Sequence, residues 1–229
     1  MTIWQTCFIS RIQSIIVLLN KLKQVCNRCP RSGESSKLVW LRDSLDDIVA
    51  AGDKMLVFSH YTDERFAGAD WIEKELAGFG ALNYSRARSD NARKAIVAAF
   101  KDKPEHKVFI GHPRVAGLGL NELVAANYVV HFDHWWNPAV MNQATARAHR
   151  PGQTKTVFAY DLWVEETYEE IIFKLLERKQ ELYNEVIDSM SAKRDFNDRL
   201  FAAADSLFAK HGLNPVHRKP AGEQENTKI

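Results

Sequence analysis

Short apolar runs that alternate with helical segments constrain the fold of this chain more than any other feature. Runs suited to strands lie at 54–60, 81–85, 106–111, 126–132 and 156–164, and several are rich in β-branched and aromatic residues. Strands separated by helices of about 10 to 15 residues form a parallel sheet with helices on both faces. The sequence therefore predicts an α/β fold built on a parallel sheet.

Apolar residues at helical spacing predict helices before, between and after these strands. The predicted helices cover 8–26, 37–51, 66–79, about 89–100 and about 138–149, followed by 166–190 and 193–211. We expect four regions: a helical lead-in and linker at 1–36, a lobe at 37–165, C-terminal helices at 166–212 and a disordered tail at 213–229. Pro, Gly and polar residues predominate in that tail, which is typical of disorder.

Charge and cysteine content exclude few functions. The net charge of +2 and the sequence pI of about 8.4 are too mild to identify a nucleic-acid partner. Cys26 and Cys29 form a CxxC, but no second ligand pair follows, so we expect reduced thiols and no structural zinc. The most apolar early run, SIIVLL at 14–19, is too short to span a bilayer. We expect a soluble intracellular protein, either cytoplasmic or associated with the nucleoid or nucleus, and neither secreted nor bound to a membrane.

Two segments that follow predicted strands carry the residues best suited to bind a ligand, because ligands of open α/β sheets gather at the carboxyl ends of the strands. In the first segment, 112–121, Gly117 and Gly119 let the backbone approach a phosphate or a sugar. Asn121 can form a hydrogen bond across the turn. The same residues are equally consistent with a tight turn that binds nothing.

The second segment, 133–153, contains Gln143, Arg147 and Arg150 at helical spacing. All three are therefore predicted to share one face of a helix that runs from Pro138 to about His149. Two guanidinium groups beside an amide suit a polyphosphate. Spacing alone leaves a solvated basic helix face as the alternative.

Together the two segments resemble the C-terminal RecA-like domain of Swi/Snf-type helicase-like ATPases. In that family a loop with the pattern AGGxGxNL is followed by DxxWNPxxxxQAxxRxHRxGQ. The positions that match in this sequence are Gly117, Gly119, Asn121, Asp133, Trp136, Asn137, Pro138, Gln143, Ala144, Arg147, His149, Arg150, Gly152 and Gln153.

The resemblance extends over about residues 18–190. LKQVCNRCP resembles LRKxCNHP, SSKLVWLRDSL resembles SxKxxxLxxxL, KMLVFSHY resembles KxLxFSQF, and YDLWVEETYEEIIFKLLERK resembles YRLxxxxTxEExIxxxxxxK. Arg93 lies in a segment that resembles SxxxRxxxxxxF. Three positions are among the departures from the family pattern. The glycine usual before the SxxxR segment is absent, Ala116 replaces the first glycine of AGGxG, and His112 stands where serine is frequent.

The resemblance implies a RecA-like parallel sheet with helical N- and C-terminal extensions, acting as the second lobe of a DNA-dependent ATPase and translocase. It implies that Arg147 and Arg150 are arginine fingers that reach the γ-phosphate of ATP, and that Gln143 orients them or contacts the nucleotide. Gly117, Gly119 and Asn121 are the implied nucleotide-binding residues, which couple the ATP cleft to DNA.

Double-stranded DNA is the partner that the resemblance implies. The residues expected to contact it are Arg86, Arg88, Arg93 and Arg114. Such binding reads phosphates and duplex shape, so it is expected to be salt-sensitive and weakly sequence-specific.

The chain has no phosphate-binding loop of the kind such a motor needs. None of its 11 glycines is followed by lysine, so the pattern GxxxxGK[ST] is absent. The resemblance therefore implies that ATP and Mg²⁺ are bound mainly by a first lobe, in cis or in trans, and that this chain alone is inactive. Two other functions stay open: a non-catalytic module that binds DNA or a partner's first lobe, and an unrelated α/β nucleotide-binding protein.

Overall fold

The computed structural model describes residues 20–29, 31–114, 120–134, 137–174 and 177. The chain divides into two compact units, Met1–Leu176 and Glu177–Ile229. Every strand and helix described below belongs to the first unit, because all of the second unit except Glu177 lies outside the described residues. The predicted helix at 193–211 and the predicted disordered tail at 213–229 lie outside them as well.

Five parallel strands form one sheet in the described part of the chain. Their bounds are β1 Met55–Phe58, β2 Leu82–Asn83, β3 Val108–Gly111, β4 Tyr128–His131 and β5 Phe158–Asp161. The order across the sheet is β2-β3-β1-β4-β5, and each neighbouring pair is parallel. The predicted α/β fold with a parallel sheet is confirmed, and each strand lies within the apolar run that predicts it.

Helices α2, Ser36–Ala50, and α3, Ala69–Glu75, pack on one face of the sheet. Ser35 caps α2 by accepting a hydrogen bond from the backbone N–H of Leu38. The chain leaves the helix at Gly52, whose φ of +78° favours glycine. The buried side chains of this face come from both helices and from alternate strand positions: Leu38, Leu41, Leu45, Ile48, Met55, Val57, Ala69, Trp71, Ile72, Leu76, Val108, Ile110 and Val130.

Helices α4, Asp90–Asp102, and α5, Pro138–Thr145, pack on the opposite face. Ser89 caps α4 by accepting a hydrogen bond from the backbone N–H of Ala92. Strand positions that point away from the first face supply the core here, together with both helices and the turn after α5: Leu56, Phe58, Val97, Phe100, Phe109, Val129, Ala144 and Ala148. The alternation follows from the two-residue period of a strand, and it confirms that helices cover both faces.

Helix α5 ends at Thr145 and not near His149, so the prediction that Gln143, Arg147 and Arg150 share one face of a continuous helix is wrong. Beyond Thr145 the backbone N–H groups of Arg147 and Ala148 bond to carbonyls three residues earlier, which tightens the turn. Proline at position 151 then disfavours helical backbone at Arg150. Only Gln143 of the three lies within the helix.

The predicted helix at 66–79 is shorter as well. It begins at Ala69 because Ala67 has a left-handed φ of 50°, and after Glu75 it gives way to a 3₁₀ turn at Ala77–Phe79. The described part of α1 covers 20–27 and that of α6 covers 168–174, inside the helices predicted at 8–26 and 166–190. Within the described residues, no helix is long and apolar enough to cross a membrane.

Candidate functional site

Asp133 joins the carboxyl ends of the two central strands β1 and β4. Its fully buried carboxylate accepts hydrogen bonds from Ser59 Oγ at 2.6 Å and from the backbone N–H of His60 at 2.9 Å. Asn27 Nδ2 of α1 donates to the same carboxylate at 3.5 Å. Because these bonds hold Asp133 against the end of β1, the loop that follows β4 has a fixed starting point.

Lys37, in the first turn of α2, is the centre of further buried polar contacts. Its ammonium group donates to Glu169 Oε1 at 2.7 Å and to the Phe132 carbonyl at 2.9 Å. A third bond of 3.1 Å reaches Asn27 Oδ1. Burial raises the pKa of Glu169, and the adjacent charge of Lys37 opposes that rise. These contacts hold α1, α2 and α6 together.

Lys23 of α1 donates to the backbone carbonyl of His134, so α1 also contacts the loop after β4. Burial lowers the pKa of Lys23 to about 8, although the nearby carboxylates of Asp133 and Glu169 oppose the change. The buried side chains in this region are called the polar hub: Lys23, Asn27, Lys37, Ser59, Asp133 and Glu169.

His60 and His112 meet edge to face beyond the carboxyl ends of β1 and β3. Their ring centroids lie 5.0 Å apart and their planes cross at 87°. Burial lowers the pKa of His60 to about 2, with a smaller contribution from His112, and burial also lowers the pKa of His112. His112 Nδ1 accepts a 3.1 Å hydrogen bond from the backbone N–H of Arg114. The contact therefore involves two neutral imidazoles at neutral pH.

The arginine segment, residues 143–153, runs along the sheet from the carboxyl end of β4 to its amino end. Thr145 Oγ1 lies 2.9 Å from Nε2 of His131, the last residue of β4. Gln153 Nε2 donates to the Ala126 carbonyl at 2.8 Å, just before β4 begins. The two contacts fix the segment near each of its ends, with the two arginines between them.

The three predicted catalytic side chains differ in exposure. Gln143 is exposed, whereas Arg147 and Arg150 are half-buried. Arg147 Nε is buried and has no hydrogen-bond partner within the part of the chain that the structure describes. A buried guanidinium N–H without an acceptor is costly, and the other N–H groups of this half-buried side chain can donate to an anion. Arg147 is therefore suited to bind an anion.

Two of the four arginines predicted to contact DNA are held by carboxylates of the chain itself. Arg86 Nη1 lies 2.9 Å from Glu73 of α3, and Arg86 Nε lies 3.2 Å from Asp70 of the same helix. Arg93 lies 3.4 Å from Asp90, one turn earlier in α4. A phosphate must compete with these carboxylates for both guanidinium groups.

The other two arginines, Arg88 and Arg114, are exposed. They follow β2 and β3, which are neighbours in the sheet. Because parallel strands end at the same edge, both side chains lie at the carboxyl edge of the sheet. An external phosphate can reach both side chains there.

The remaining predicted residues fall largely outside the described residues. Gly117 and Gly119 are among these, as is Trp136. The backbone of Asn121 begins a 3₁₀ turn, Asn121–Ala125, which contacts α4. Among the residues that are described, no group of three or more His, Cys, Asp or Glu side chains could hold a metal ion.

Comparison with known families identifies the lobe. The sequence model of the helicase conserved C-terminal domain matches residues 37–152, which include four of the five strands and the first ten residues of the arginine segment. The chain belongs to this family.

Solved structures place this helicase C-terminal domain within the Swi2/Snf2 type. The Sulfolobus solfataricus SWI2/SNF2 ATPase core in complex with dsDNA matches 87% of the chain, over 42% of its own length, with 30% identity and a TM-score of 0.62. The C-terminal domain of the Sulfolobus solfataricus SWI2/SNF2 ATPase matches 87% of the chain over 82% of its own length, with 28% identity and a TM-score of 0.58. The RecA-like lobe that the sequence resemblance implies is confirmed.

Curated relatives agree with this assignment. YwqA of Bacillus subtilis, named as an ATP-dependent helicase/translocase, is 35% identical over 76% of this chain and 20% of its own length. The chromatin-remodeling ATPase INO80 of Aspergillus oryzae is 37% identical over 72% of this chain and 11% of its own length. The helicase C-terminal domain described here thus spans between about a tenth and a fifth of these relatives.

The polar hub is not among the features predicted from the sequence, although the family patterns contain a signal for it. Asn27, Lys37, Asp133 and Glu169 occupy lettered positions of four separate patterns in the helicase C-terminal domain. Each is a polar residue within or beside an apolar segment, and all four are buried. Buried charges need partners, so four such positions could have been predicted to meet.

Proposed function

We propose that this helicase C-terminal domain is the second motor lobe of a DNA-dependent ATPase. In this proposal it supplies Arg147 and Arg150 to ATP that a first lobe binds, and it contacts duplex DNA at the carboxyl edge of its sheet. The names of two similar proteins support the proposal, one an ATP-dependent helicase/translocase and the other a chromatin-remodeling ATPase. The similarity to an ATPase core in complex with dsDNA supports DNA as the partner.

The observation that carries the proposal is the buried Nε of Arg147, which has no acceptor among the described residues. A half-buried guanidinium has few rotamers available, and it can bind a phosphate through two parallel N–H groups. The residue belongs to a segment whose ends are held by His131 and Ala126, so its position is fixed before a ligand arrives. This is the property that an arginine finger requires.

ATP bound to the first lobe supplies the phosphoryl group that is transferred to water. Arg147 and Arg150 donate hydrogen bonds to the oxygens on which negative charge develops, and related arginines contribute about 10³- to 10⁵-fold in rate. Gln143, which is exposed on α5, donates its amide N–H to the nucleotide, or its amide oxygen accepts a hydrogen bond from the neighbouring guanidinium. Gly117, Gly119 and Asn121 bind the nucleotide in this proposal, as their match to the family pattern implies. Because this sequence has no GxxxxGK[ST] loop, Mg²⁺ binds with the nucleotide to the first lobe in this proposal.

On the DNA side, Arg88 and Arg114 provide the contacts to phosphates, with Arg93 beside them at the start of α4. Arg86 contributes less because Asp70 and Glu73 already neutralise its charge. Contacts of this kind position a duplex without reading its sequence. DNA binding should therefore weaken steeply with salt.

Steady-state ATP hydrolysis in the presence of duplex DNA tests the proposal. The chain alone should be inactive, and activity should appear when it is mixed with a first lobe that carries GxxxxGK[ST]. Arg147→Ala and Arg150→Ala should each lower that activity at least about 100-fold, since an arginine finger raises the rate of phosphoryl transfer about 10³-fold or more. Arg65→Ala is the matched control, because Arg65 is an exposed arginine paired only locally with Asp63.

A different outcome favours the alternative function. If the mixture stays inactive while the chain binds duplex DNA, the lobe is a non-catalytic binding module. If the mixture is active and both arginine variants match Arg65→Ala, then these residues are not arginine fingers.

A further inference from the structure

His60 and His112 are two departures from the family pattern that contact each other. The pattern KxLxFSQF has glutamine at the position of His60, and serine is frequent at the position of His112. The residues lie far apart in the sequence, yet their rings meet edge to face at a centroid distance of 5.0 Å. A substitution at one position therefore changes the contact made by the other.

The histidine pair lies between the two loops that carry the predicted functional residues. On one side, His112 Nδ1 accepts a hydrogen bond from the backbone N–H of Arg114, at the start of the loop after β3. On the other side, the backbone N–H of His60 donates to Asp133 at 2.9 Å, at the start of the loop after β4. A continuous series of contacts thus runs from Arg114 to Asp133 across the carboxyl ends of β3, β1 and β4.

The two ends of this series, Asp133 and Arg114, are held differently. Asp133 is fully buried in the polar hub and is held by Ser59 as well as by His60. Arg114 is exposed, and its backbone N–H donates to the ring of His112. The Arg114 backbone is therefore bonded to the His112 ring, and the His60 ring packs against that ring.

We propose that the His60–His112 pair is a positioning device that couples the start of the loop after β3 to the loop after β4. The inference about contacts stands on the geometry alone, whereas its consequence for catalysis rests on the proposed function. In the motor, the first loop contacts DNA and nucleotide, and the second leads into the arginine segment. The pair transmits the position of one loop to the other through packed rings and two hydrogen bonds.

Hydrogen exchange of the Arg114 amide tests the contact in the chain itself. His60→Ala should accelerate this exchange about 3- to 10-fold, as expected when a single hydrogen bond loses its support. His60→Phe keeps an aromatic edge against His112 and should restore the slow rate. His106→Ala is the matched control, since His106 is a half-buried histidine whose Nδ1 lies 3.0 Å from the Gly80 carbonyl at the opposite end of β3.

A double variant tests whether the two residues act as a unit. His112→Asn keeps an oxygen that can accept from Arg114 but removes the ring. If the pair is one device, adding His60→Ala to His112→Asn should not accelerate exchange beyond the faster single variant. Additive effects, or an Arg114 amide that does not respond to His60→Ala, would overturn the proposal.

The catalytic consequence is measured in the mixture with a first lobe. His60→Ala should lower the DNA-stimulated kcat about 3- to 10-fold with KM for ATP unchanged, and His60→Phe should recover it, because positioning alters the transition state more than ground-state binding. If kcat varies among these variants with their thermal stability, and not with the exchange rate of the Arg114 amide, the coupling is contradicted. If the wild-type mixture is inactive, the proposed function fails, and the exchange experiment still decides whether the pair positions the loop.

Discussion

Lys37 Nζ and Glu169 Oε1 lie 2.7 Å apart, and each side chain is only 2% exposed. Lys37 begins α2 and Glu169 belongs to α6, so this pair fastens the last described helix to the first helix of the lobe. Taking two charges out of water is expensive, and their attraction repays the cost only when further hydrogen bonds satisfy them. Here Phe132 and Asn27 accept from the ammonium group, and Glu169 Oε2 accepts from the backbone N–H of Val164 at 3.0 Å.

The first prediction concerns this pair. Glu169→Ala leaves the Lys37 charge buried without its counterion, so it should destabilise the lobe by about 3 to 5 kcal/mol in urea unfolding. Lys174→Ala removes the exposed partner of Glu170 and should cost less than about 1 kcal/mol. The double variant Lys37→Met/Glu169→Leu should regain much of the loss, because it leaves no unpaired charge. Equal stabilities for Glu169→Ala and Lys174→Ala would contradict the role given to the pair.

The second prediction is that acid destabilises the lobe below about pH 6.5. Burial lowers the pKa of His60 to about 2, that of His134 to about 3 and that of His131 to about 4. In the unfolded chain all three titrate near 6.5, so between that pH and their folded values the unfolded state binds more protons. Stability is therefore fully present above pH 6.5 and falls as the pH falls.

The size of the effect can be measured by urea unfolding at several pH values. Each of the three histidines contributes a slope of about 1.4 kcal/mol per pH unit between about pH 6 and 4, or about 4 kcal/mol per unit together. His60→Phe keeps the ring and removes one titrating group, so it should reduce the slope by about a third. A free energy of unfolding that is constant from pH 7 to pH 5 would show that these histidines are not buried in their neutral form.

The sequence predicts the sheet and its covering helices because hydrophobic periodicity reports burial directly. The run at 106–111 is one example, since its apolar residues are those that β3 buries on both faces. The ends of helices are less predictable, since Thr145 ends α5 through local turn geometry that apolar spacing does not record. The family pattern identifies Arg147, but its buried Nε depends on tertiary packing that no pattern contains.

Polar contacts across the sheet are the feature of this fold that is hardest to predict from the sequence. The partners of Asp133 come from α1 and from the end of β1, so their meeting depends on the strand order β2-β3-β1-β4-β5. The alternation of strands and helices predicts that the strands are parallel, but it does not say which strand lies beside which. The His60–His112 contact follows from the same order, since β1 and β3 are neighbours.

The third prediction compares two glycines with positive φ. Gly52 has a φ of +78° and a Cβ there meets nothing within 4 Å, so Gly52→Ala adds backbone strain alone, about 1 to 2 kcal/mol. Gly80 has a φ of +64°, and a Cβ there would lie 2.1 Å from the backbone oxygen of Glu105. Gly80→Ala should therefore cost about 2 to 5 kcal/mol, because a steric clash adds to the strain. Thermal or urea unfolding of the two variants measures the difference, and similar losses would show that the 105–107 turn moves away easily.

The fourth prediction concerns Gln153, which lies at the end of the arginine segment. Its amide donates to the carbonyls of Ala126 and Val124, at 2.8 and 3.0 Å, and so fastens the segment to the start of β4. Gln153→Ala leaves those carbonyls without a donor and should destabilise the lobe by about 1 to 3 kcal/mol. Its effect on catalysis should be larger. Displacing a catalytic guanidinium group by about 1 Å lowers the reaction rate by up to about 100-fold.

Gly52→Ala provides the matched control for this prediction, since its expected loss of stability is similar and it lies in a turn far from Arg147 in the sequence. In the mixture with a first lobe, Gln153→Ala should lower kcat about 10- to 100-fold and leave KM for ATP unchanged, whereas Gly52→Ala should leave both unchanged. Gln153→Glu should behave like Gln153→Ala, because a carboxylate cannot donate to the two carbonyls. If both Gln153 variants retain the kcat of Gly52→Ala, the position of the arginines does not depend on this contact. If Gln153→Glu alone retains it, the shape of the side chain matters and its hydrogen bonds do not.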